Sequence, residues 1–181
     1  MERNESYSLL NWILTALMIA LVFLAGNVIK IPTIGGFVHV GDCMVLLSAV
    51  LLGKKRGALA AAVGMALVDI YGGYFLWAPF TFIIKGVMAY IAGDILEKFK
   101  EKTFKTYLIS FITAGVFMVI GYLFAGALMA SLLTGKVNGI TAALVYAAKD
   151  IPGNIIQVVT GIVIALPLAN VMLRARKKVF N

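Results

Sequence analysis

The sequence is poor in the residues that build metal centres, disulfides and catalytic sites. It contains one cysteine, Cys43, and one histidine, His39. An intramolecular disulfide, a cysteine metal cluster and a multi-histidine metal site are therefore excluded. The sequence has no P-loop, GxSxG or HExxH pattern, so the chain alone cannot hydrolyse ATP and carries no common hydrolase motif. We expect no enzyme activity, no cofactor and no metal.

Charge is also scarce, since only 13% of the residues are charged whereas 62% are hydrophobic. A soluble domain has roughly one quarter charged and one half apolar residues. The apolar residues form long runs, which is typical of a chain whose solvent is lipid. No composition shift or linker divides the sequence, so we expect a single membrane domain over residues 1–181.

The net charge of +8 raises the question of nucleic acid. The basic residues stand at the ends of the apolar runs, and no basic patch is interleaved with aromatic residues. Membrane orientation explains this placement better than a nucleic-acid surface does. We therefore expect a lipid bilayer, and no nucleic acid, as the surroundings of the chain.

Six apolar segments predict an all-α integral membrane protein, a bundle of six transmembrane helices. The second and third segments cover only about 20 Å at the rise of an α-helix. They either begin inside their loops or stop short of one surface. The predicted helices span residues 9–29, 42–53, 57–71, 80–95, 107–133 and 140–173.

The basic residues predict the orientation of this bundle. If both termini are cytoplasmic, 12 of the 16 lysines and arginines lie at the cytoplasmic face, and Lys30, Lys85, Lys136 and Lys149 are the remaining four. Such a bias is the usual signature of the inner face of a membrane. We therefore expect both ends of the chain in the cytoplasm.

Lys85 is the most informative single residue for predicting a functional site. Trp77, Thr81 and Lys85 recur every four residues, so they share one face of a helix. Lys85 lies near the predicted bilayer centre, where an ionisable group is costly and faces a bundle interior or a wet cavity. It is either the partner of a structural ion pair with Asp69 or Asp42, or a lysine that meets a polar ligand, and both can hold at once.

The segment KDIPGNIIQ carries a second polar stripe, because Asp150, Asn154 and Gln157 follow the spacing i, i+4, i+7. Lys149 and Asp150 are expected at the rim of the membrane, with the two amides buried below them. Pro152 removes a backbone donor and is expected to kink the helix. Hydrogen bonding between helices is the alternative interpretation of the amides.

A cavity open to the outside and lined by several helices explains these polar residues together. The aromatic residues near it have a second interpretation as an interfacial belt, and His39 as a hydrogen-bonded loop residue. The candidate substrate-binding residues are His39, Asp42, Asp69, Tyr74, Trp77, Thr81, Lys85, Lys149, Asp150, Asn154 and Gln157.

Small residues form a further pattern in the first helix, where Ala16 and Ala20 stand four apart. Small residues at this spacing let two helices approach closely. Packing within the bundle and docking of a second membrane protein both account for the pattern.

Several segments in order resemble one known family. They are IPTIGGFVHVGDCMVLLSAVLLG, KKRGALAAAVGMALVDIYGGY, WAPFTFIIKGVMAYIAGDIL and KDIPGNIIQVVTG. Together they resemble the substrate-binding S component of energy-coupling factor (ECF) vitamin transporters, over nearly the whole chain.

The resemblance implies a non-enzymatic, high-affinity binding subunit of an importer in a prokaryotic cell membrane. Its implied partners are a membrane coupling protein (EcfT-type) and two ECF ATPases, and Ala16 and Ala20 match the family's docking motif. The HVGD and GGYFLWAPFT segments look most like S components for pyridoxine-type vitamers or the hydroxymethylpyrimidine precursor of thiamine. Riboflavin, pantothenate, thiamine and a queuosine precursor are the alternative ligands.

Two functions of other classes fit the same composition. A self-sufficient carrier or channel would move substrate without partners, although no inverted repeat of the kind found in secondary transporters is visible. A membrane scaffold protein would bind no small ligand at all.

Overall fold

The computed structural model describes residues 2–28, 30–32 and 37–180, with side chains over 9–28, 30, 39–169 and 171. This part of the chain is helical apart from one short strand pair, which confirms the predicted helical class. The strands are β1 (Lys30–Pro32) and β2 (Phe37–His39). The helices are α1 (Glu2–Val28), α2 (Asp42–Tyr71), α3 (Ala78–Lys98), α4 (Phe104–Leu128), α5 (Ile140–Ala148) and α6 (Ile151–Phe180).

Four helical segments of the described chain are long and apolar enough to cross a membrane. Large apolar side chains cover their outward faces, for example Leu17, Ile83 and Val163. Such faces are expected against lipid, and a helix satisfies its own backbone groups there. The predicted end of the first segment, Ile29, lies outside the described residues. The four segments are Leu9–Val28, Ala78–Lys98, Phe104–Leu133 and Ile151–Ala169.

α2 is a helical hairpin that reverses direction at one residue. Gly53 has φ 77° and ψ 178°, a region that is essentially restricted to glycine. The two arms pack closely, since the Ser48 hydroxyl donates to the carbonyl of Gly57 at 2.9 Å. The sequence predicted two short helices interrupted by Lys54, Lys55 and Arg56, whereas these three residues are helical and the break is Gly53 alone. At about 1.5 Å per residue the arms are roughly 16 and 27 Å long.

The prediction of one helix over 140–173 is wrong, because α5 ends at Ala148 and α6 begins at Ile151. Between them the backbone N–H of Asp150 donates to the carbonyl of Ala147 at 3.1 Å. Pro152 accounts for the break, since it disfavours helical geometry in the preceding residue and suits the first turn of a new helix. The turn therefore holds Asp150 between two helices.

The end of α4 also differs from a regular helix. A π-helical turn, Met129–Leu133, follows it directly. The carbonyls of Met129 and Ala130 then accept the backbone N–H groups of Thr134 and Lys136, both at 2.9 Å. Such wide turns are frequent at functional sites, and this one forms part of a cavity described below.

The strand pair precedes α2 and was predicted only as a loop. β1 and β2 are antiparallel, with Lys30 opposite His39. The pair brings His39 next to Asp42 at the start of α2 and Lys30 next to Gly72 at its end.

Close contacts to small residues place α2 at the centre of the bundle. Val22 of α1 packs against Gly64, where an added Cβ would meet it at 2.6 Å. Gly161 of α6 packs against Asp42 in the same way, at 2.8 Å from its Cβ. The close approach of α6 at Gly161 buries Asp42 between helices.

Candidate functional site

A buried ion pair joins the start of α2 to the middle of α3. Lys85 Nζ lies 2.5 Å from Asp42 Oδ1, and both side chains are 0% exposed. A charge removed from water is tolerated when an opposite charge compensates it at close range. The structure confirms the ion pair predicted from the sequence and selects Asp42 as its partner.

A second carboxylate completes this cluster. Asp69, near the end of α2, is 7% exposed. The Thr81 hydroxyl lies beside it, and the charges of Lys85 and Lys30 act on it. Thr81 and Lys85 are one helical turn apart on α3, so both face the two aspartates of α2.

His39 and Gln157 tie the strand pair to α6 beside the same cluster. Gln157 Oε1 accepts the backbone N–H of His39 at 3.3 Å, and His39 Nδ1 accepts the N–H of Gly41 at 3.1 Å. Burial lowers the pKa of His39 to about 4; the positive charges of Lys85 and Lys30 act in the same direction, and Asp42 opposes them. The imidazole is therefore neutral at neutral pH. We call His39, Asp42, Asp69, Thr81, Lys85 and Gln157 the buried polar cluster.

A cavity of about 110 Å³ lies next to this cluster, between the start of α3, the end of α4 and α5. Its wall combines two aromatic rings, one of them a phenol, with one carboxylate, one ammonium and one aliphatic hydroxyl. Aromatic rings give a small ligand apolar contact, and a few polar groups beside them can fix its orientation. The lining residues are Trp77, Gly126, Met129, Ala130, Thr134, Lys136, Tyr146, Ala147 and Asp150.

Tyr146 is the aromatic ring of the cavity that has two lysine ammonium groups beside it. The Lys149 ammonium lies 3.4 Å from its ring centroid and the Lys136 ammonium 6.0 Å from it. Cations are attracted to the face of an aromatic ring. The two lysines therefore fix the ring at one side of the cavity, next to Asp150.

Two aromatic residues connect the cavity to the buried polar cluster. The ring of Trp77 lies 6.0 Å from that of Tyr122 on α4. Tyr122 in turn donates its hydroxyl to Thr81 Oγ1 at 3.1 Å, and its ring lies 5.3 Å from Lys85 Nζ. The cavity and the cluster thus share one face of α3.

Comparison with known proteins agrees with a membrane transport subunit. The model of the family "ECF-type riboflavin transporter, S component" matches residues 6–174. The chain belongs to this family. It is an S component of the plasma membrane, a multi-pass transport subunit and not an enzyme.

Two relatives resemble this S component over most of their length. An uncharacterized protein of Pyrococcus woesei is 34% identical over 136 residues, which is 75% of this chain and 82% of the relative. The thiamine precursor transporter HmpT of Lactococcus lactis subsp. cremoris is 28% identical over 159 residues, 86% of this chain and 83% of the relative.

The structure distributes the predicted site residues of the S component over two neighbouring places. Six form the buried polar cluster, whereas Trp77 and Asp150 line the cavity. The Lys149 ammonium lies over the ring of Tyr146 and is not part of the described wall. The backbone N–H of Tyr74 donates to the carbonyl of Asp69 at 2.8 Å, and that of Asn154 to Asp150 at 3.0 Å; neither side chain is part of the wall.

Ala16 and Ala20 both lie on the exposed side of α1. The opposite side of the helix carries Thr15, Met18 and Val22, which are buried against the bundle. The two alanines therefore take no part in packing α1 onto α2. They present two small side chains, one helical turn apart, on the outward face.

Sequence reasoning missed Lys136 and Tyr146 in the cavity and Tyr122 beside it. One signal was present for Tyr146, which precedes Lys149 by three residues and Asp150 by four and so could have joined the stripe of KDIPGNIIQ. Lys136 was considered only as one of the four basic residues away from the predicted cytoplasmic face. Tyr122 lies in an apolar run, and only its contacts across to α3 distinguish it.

Proposed function

We infer that this S component binds a small heteroaromatic vitamin precursor, and that the hydroxymethylpyrimidine precursor of thiamine is its favoured ligand. The observation that carries the proposal is the cavity, in which the rings of Trp77 and Tyr146 stand beside the carboxylate of Asp150. A flat heterocycle packs against aromatic rings. The amino group of the pyrimidine would donate to Asp150, and its hydroxymethyl group would bond to Thr134 or Lys136.

The size of the cavity supports a ligand with one ring. About 110 Å³ is well below the roughly 300–1,000 Å³ typical of sites for drug-sized ligands. Riboflavin, which the family description names, has three fused rings and a polyol chain, and thiamine has two rings. The similarity to HmpT favours the same single-ring ligand.

Pyridoxine-type vitamers are the second candidate, because they are also single rings of this size. They differ at the polar edge, where pyridoxine carries hydroxyl groups in place of the amino group. The carboxylate of Asp150 favours the amino compound, since the amino group offers it two hydrogens and its nitrogen lone pair is delocalised into the ring, whereas each hydroxyl offers one hydrogen.

In this proposal the buried polar cluster supports the site, and Trp77 and Asp150 contact the ligand. Lys85 lies in its ion pair with Asp42 and outside the cavity wall described by the structure. Its contribution to binding is therefore indirect, through the face of α3 that it shares with Trp77.

We further propose six membrane passes with both termini in the cytoplasm, docked to a membrane coupling protein and two ECF ATPases. The hairpin of α2 supplies two passes in addition to the four long segments. Lys54, in the turn of this hairpin, pairs with Asp94 near the end of α3, so two regions predicted as cytoplasmic lie together. The exposed alanines of α1 offer a surface for the coupling protein.

A thermal-shift screen of the purified protein tests the ligand. Hydroxymethylpyrimidine should raise the melting temperature at lower concentration than pyridoxine, thiamine, riboflavin or pantothenate, because a ligand that binds only the folded state stabilises it by mass action. Asp150→Asn should reduce that shift and Asp94→Asn, at the other end of the bundle, should leave it unchanged. Stabilisation by riboflavin alone, or by none of the five, would reject the proposal.

Reconstitution separates the S component from a self-sufficient carrier. Liposomes that contain this chain alone should bind the pyrimidine and show no accumulation of it. Flux without the coupling protein and ATPases would favour the carrier.

A further inference from the structure

Tyr122 touches three successive turns of α3 with one side chain. Its ring lies 6.0 Å from that of Trp77 and 5.3 Å from Lys85 Nζ, and its hydroxyl reaches Thr81 Oγ1 at 3.1 Å. Trp77 at the N-cap of α3, and Thr81 and Lys85 within the helix, recur every four residues and share one face. A single residue of α4 therefore fixes the side of α3 that carries both the buried ion pair and the wall of the cavity.

The Trp77 ring has two ring contacts, with Tyr122 on α4 and, at 6.4 Å, with Phe80 on α3. Of the two, Tyr122 is the one that comes from another helix. Trp77 stands at the N-cap of α3, makes no side-chain capping bond and is half-buried. Its indole lies along α4, where a Cβ added to Gly126 would be 3.7 Å from the ring. Tyr122 and Gly126 are one turn apart on α4. The indole packs against the Tyr122 ring and extends over Gly126, which has no side chain to block it.

We propose that Tyr122 is a positioning residue for ligand binding, which holds the Trp77 ring in the cavity wall although Tyr122 does not belong to the described wall itself. The proposal rests on the function proposed for the cavity. The contacts to Trp77 and Lys85 are made by the ring, whereas the hydroxyl donates to Thr81. The flat ring is therefore the part of Tyr122 that binding requires.

The simple alternative is that Tyr122 only fills space between α3 and α4. α4 provides a matched control for this alternative, because Tyr107 lies in the same helix, is 1% exposed and packs on Phe111 with 5.9 Å between the ring centroids. Tyr107 is remote from the cavity. The same substitution at both positions creates a comparable packing defect, and only one of the two lies against Trp77.

Trp77 itself provides the readout. The chain has two tryptophans, and Trp12 lies on the exposed side of α1 with 55% of its surface accessible. Trp12→Phe therefore leaves Trp77 as a single fluorescent reporter in the wall of the cavity. All variants are made in this background in the full chain, and hydroxymethylpyrimidine is titrated while Trp77 emission and anisotropy are recorded.

Tyr122→Leu should weaken binding at least tenfold, which corresponds to about 1.4 kcal/mol. It should also shift the Trp77 emission and lower its anisotropy before any ligand is added. Tyr122→Phe should retain the anisotropy of Trp77 and restore most of the affinity. Tyr107→Leu should lower the melting temperature and leave both the affinity and the Trp77 emission unchanged. If Tyr122→Leu does not fold, Tyr122→Met, which keeps the volume without the flat ring, takes its place with the same expectations.

Unchanged affinity in Tyr122→Leu would overturn the proposal. Equal losses of affinity in the leucine variants of Tyr122 and Tyr107 would also overturn it, since they would show a general packing effect. A failure of the proposed function is distinguishable from both. In that case the parent protein binds no pyrimidine, whereas the emission of Trp77 in the free protein still reports whether Tyr122 positions it.

Discussion

Two sets of ion pairs stand at different points along α3, and they join the same types of charged group in different surroundings. In the middle of the helix, Lys85 and Asp42 meet with no exposed surface. Near its end, Lys54 contacts Asp94 at 2.8 Å and Glu97 at 3.3 Å, with the three side chains 25–45% exposed. The backbone N–H of Lys54 also donates to Glu97 Oε1 at 3.0 Å.

The difference in exposure indicates a different role for each set of ion pairs. Exposed pairs gain little because water and salt screen them, so the Lys54 group chiefly orders the turn after Gly53. A buried pair is costly to form, and apolar side chains of the same size often stabilise a fold equally well. The buried pair is therefore better explained by the position that it gives to the face of α3 next to the cavity than by stability.

Breaking the buried pair should produce the largest effect. Lys85→Met leaves the carboxylate of Asp42 buried without its partner and should lower the free energy of unfolding by about 3–5 kcal/mol. The double variant Lys85→Met, Asp42→Leu should recover most of this loss, because both charges are gone. Thermal unfolding in detergent measures both, and a double variant as unstable as the single one would contradict this view of the pair.

Near the end of α3, where Gly53 lies beside Glu97, the backbone should matter more than the charges. Gly53→Ala forces a side chain into a glycine-only region, which costs up to about 3 kcal/mol, and its Cβ would lie 3.1 Å from Glu97 Oε1. Gly73→Ala is the control for the contact with Glu97. This glycine also has positive φ, but a Cβ added there has no atom within 4 Å. Equal melting temperatures for Gly53→Ala and wild type would show that the reversal of α2 does not need glycine.

His39 should make the end of the bundle that carries the strand pair sensitive to acid. Its pKa in the folded protein is about 4, below the unfolded value of about 6.5, so the unfolded chain binds the extra proton between these values. The contribution of His39 to stability should therefore fall as the pH drops below about 6.5, by about 2 kcal/mol between pH 7 and pH 5. His39→Gln, which can still accept the N–H of Gly41, should flatten this dependence; an equally steep slope in the variant would assign it to another group.

Lys54→Met should have the smallest effect on stability of these variants. The pair that it removes is partly exposed, and its effect should shrink further in 1 M salt because the screening length falls to about 3 Å. The melting temperature with and without salt measures this. A loss as large as that of Lys85→Met would remove the contrast between the buried and the exposed ion pairs.

The sequence was most informative where one helix carries the signal by itself. The apolar runs predicted the long helices, and the four-residue spacing of Trp77, Thr81 and Lys85 placed them on one face. It was less informative where a single backbone angle or a distant contact decides. Gly53 reverses α2 because of its own φ, whereas the neighbouring charges drew attention away from it. The break before Pro152 was expected only as a kink.

The division of the candidate site into a buried cluster and a cavity could not be predicted, because it depends on contacts between helices far apart in sequence. Asp42 and Lys85 meet across 43 residues, and His39 and Gln157 across 118. Local spacing identifies which side chains share a face. It does not show which of them pair with each other and which remain available to a ligand.

Calorimetric titration of hydroxymethylpyrimidine into two variants tests the central claim most directly, that the cavity binds the ligand and the buried pair only supports it. Asp150→Asn should lose at least tenfold in affinity, about 1.4 kcal/mol. The double variant Lys85→Met, Asp42→Leu should bind within about threefold of wild type, roughly 0.7 kcal/mol. If the double variant loses binding while Asp150→Asn keeps it, the ligand contacts the buried cluster and the account is wrong.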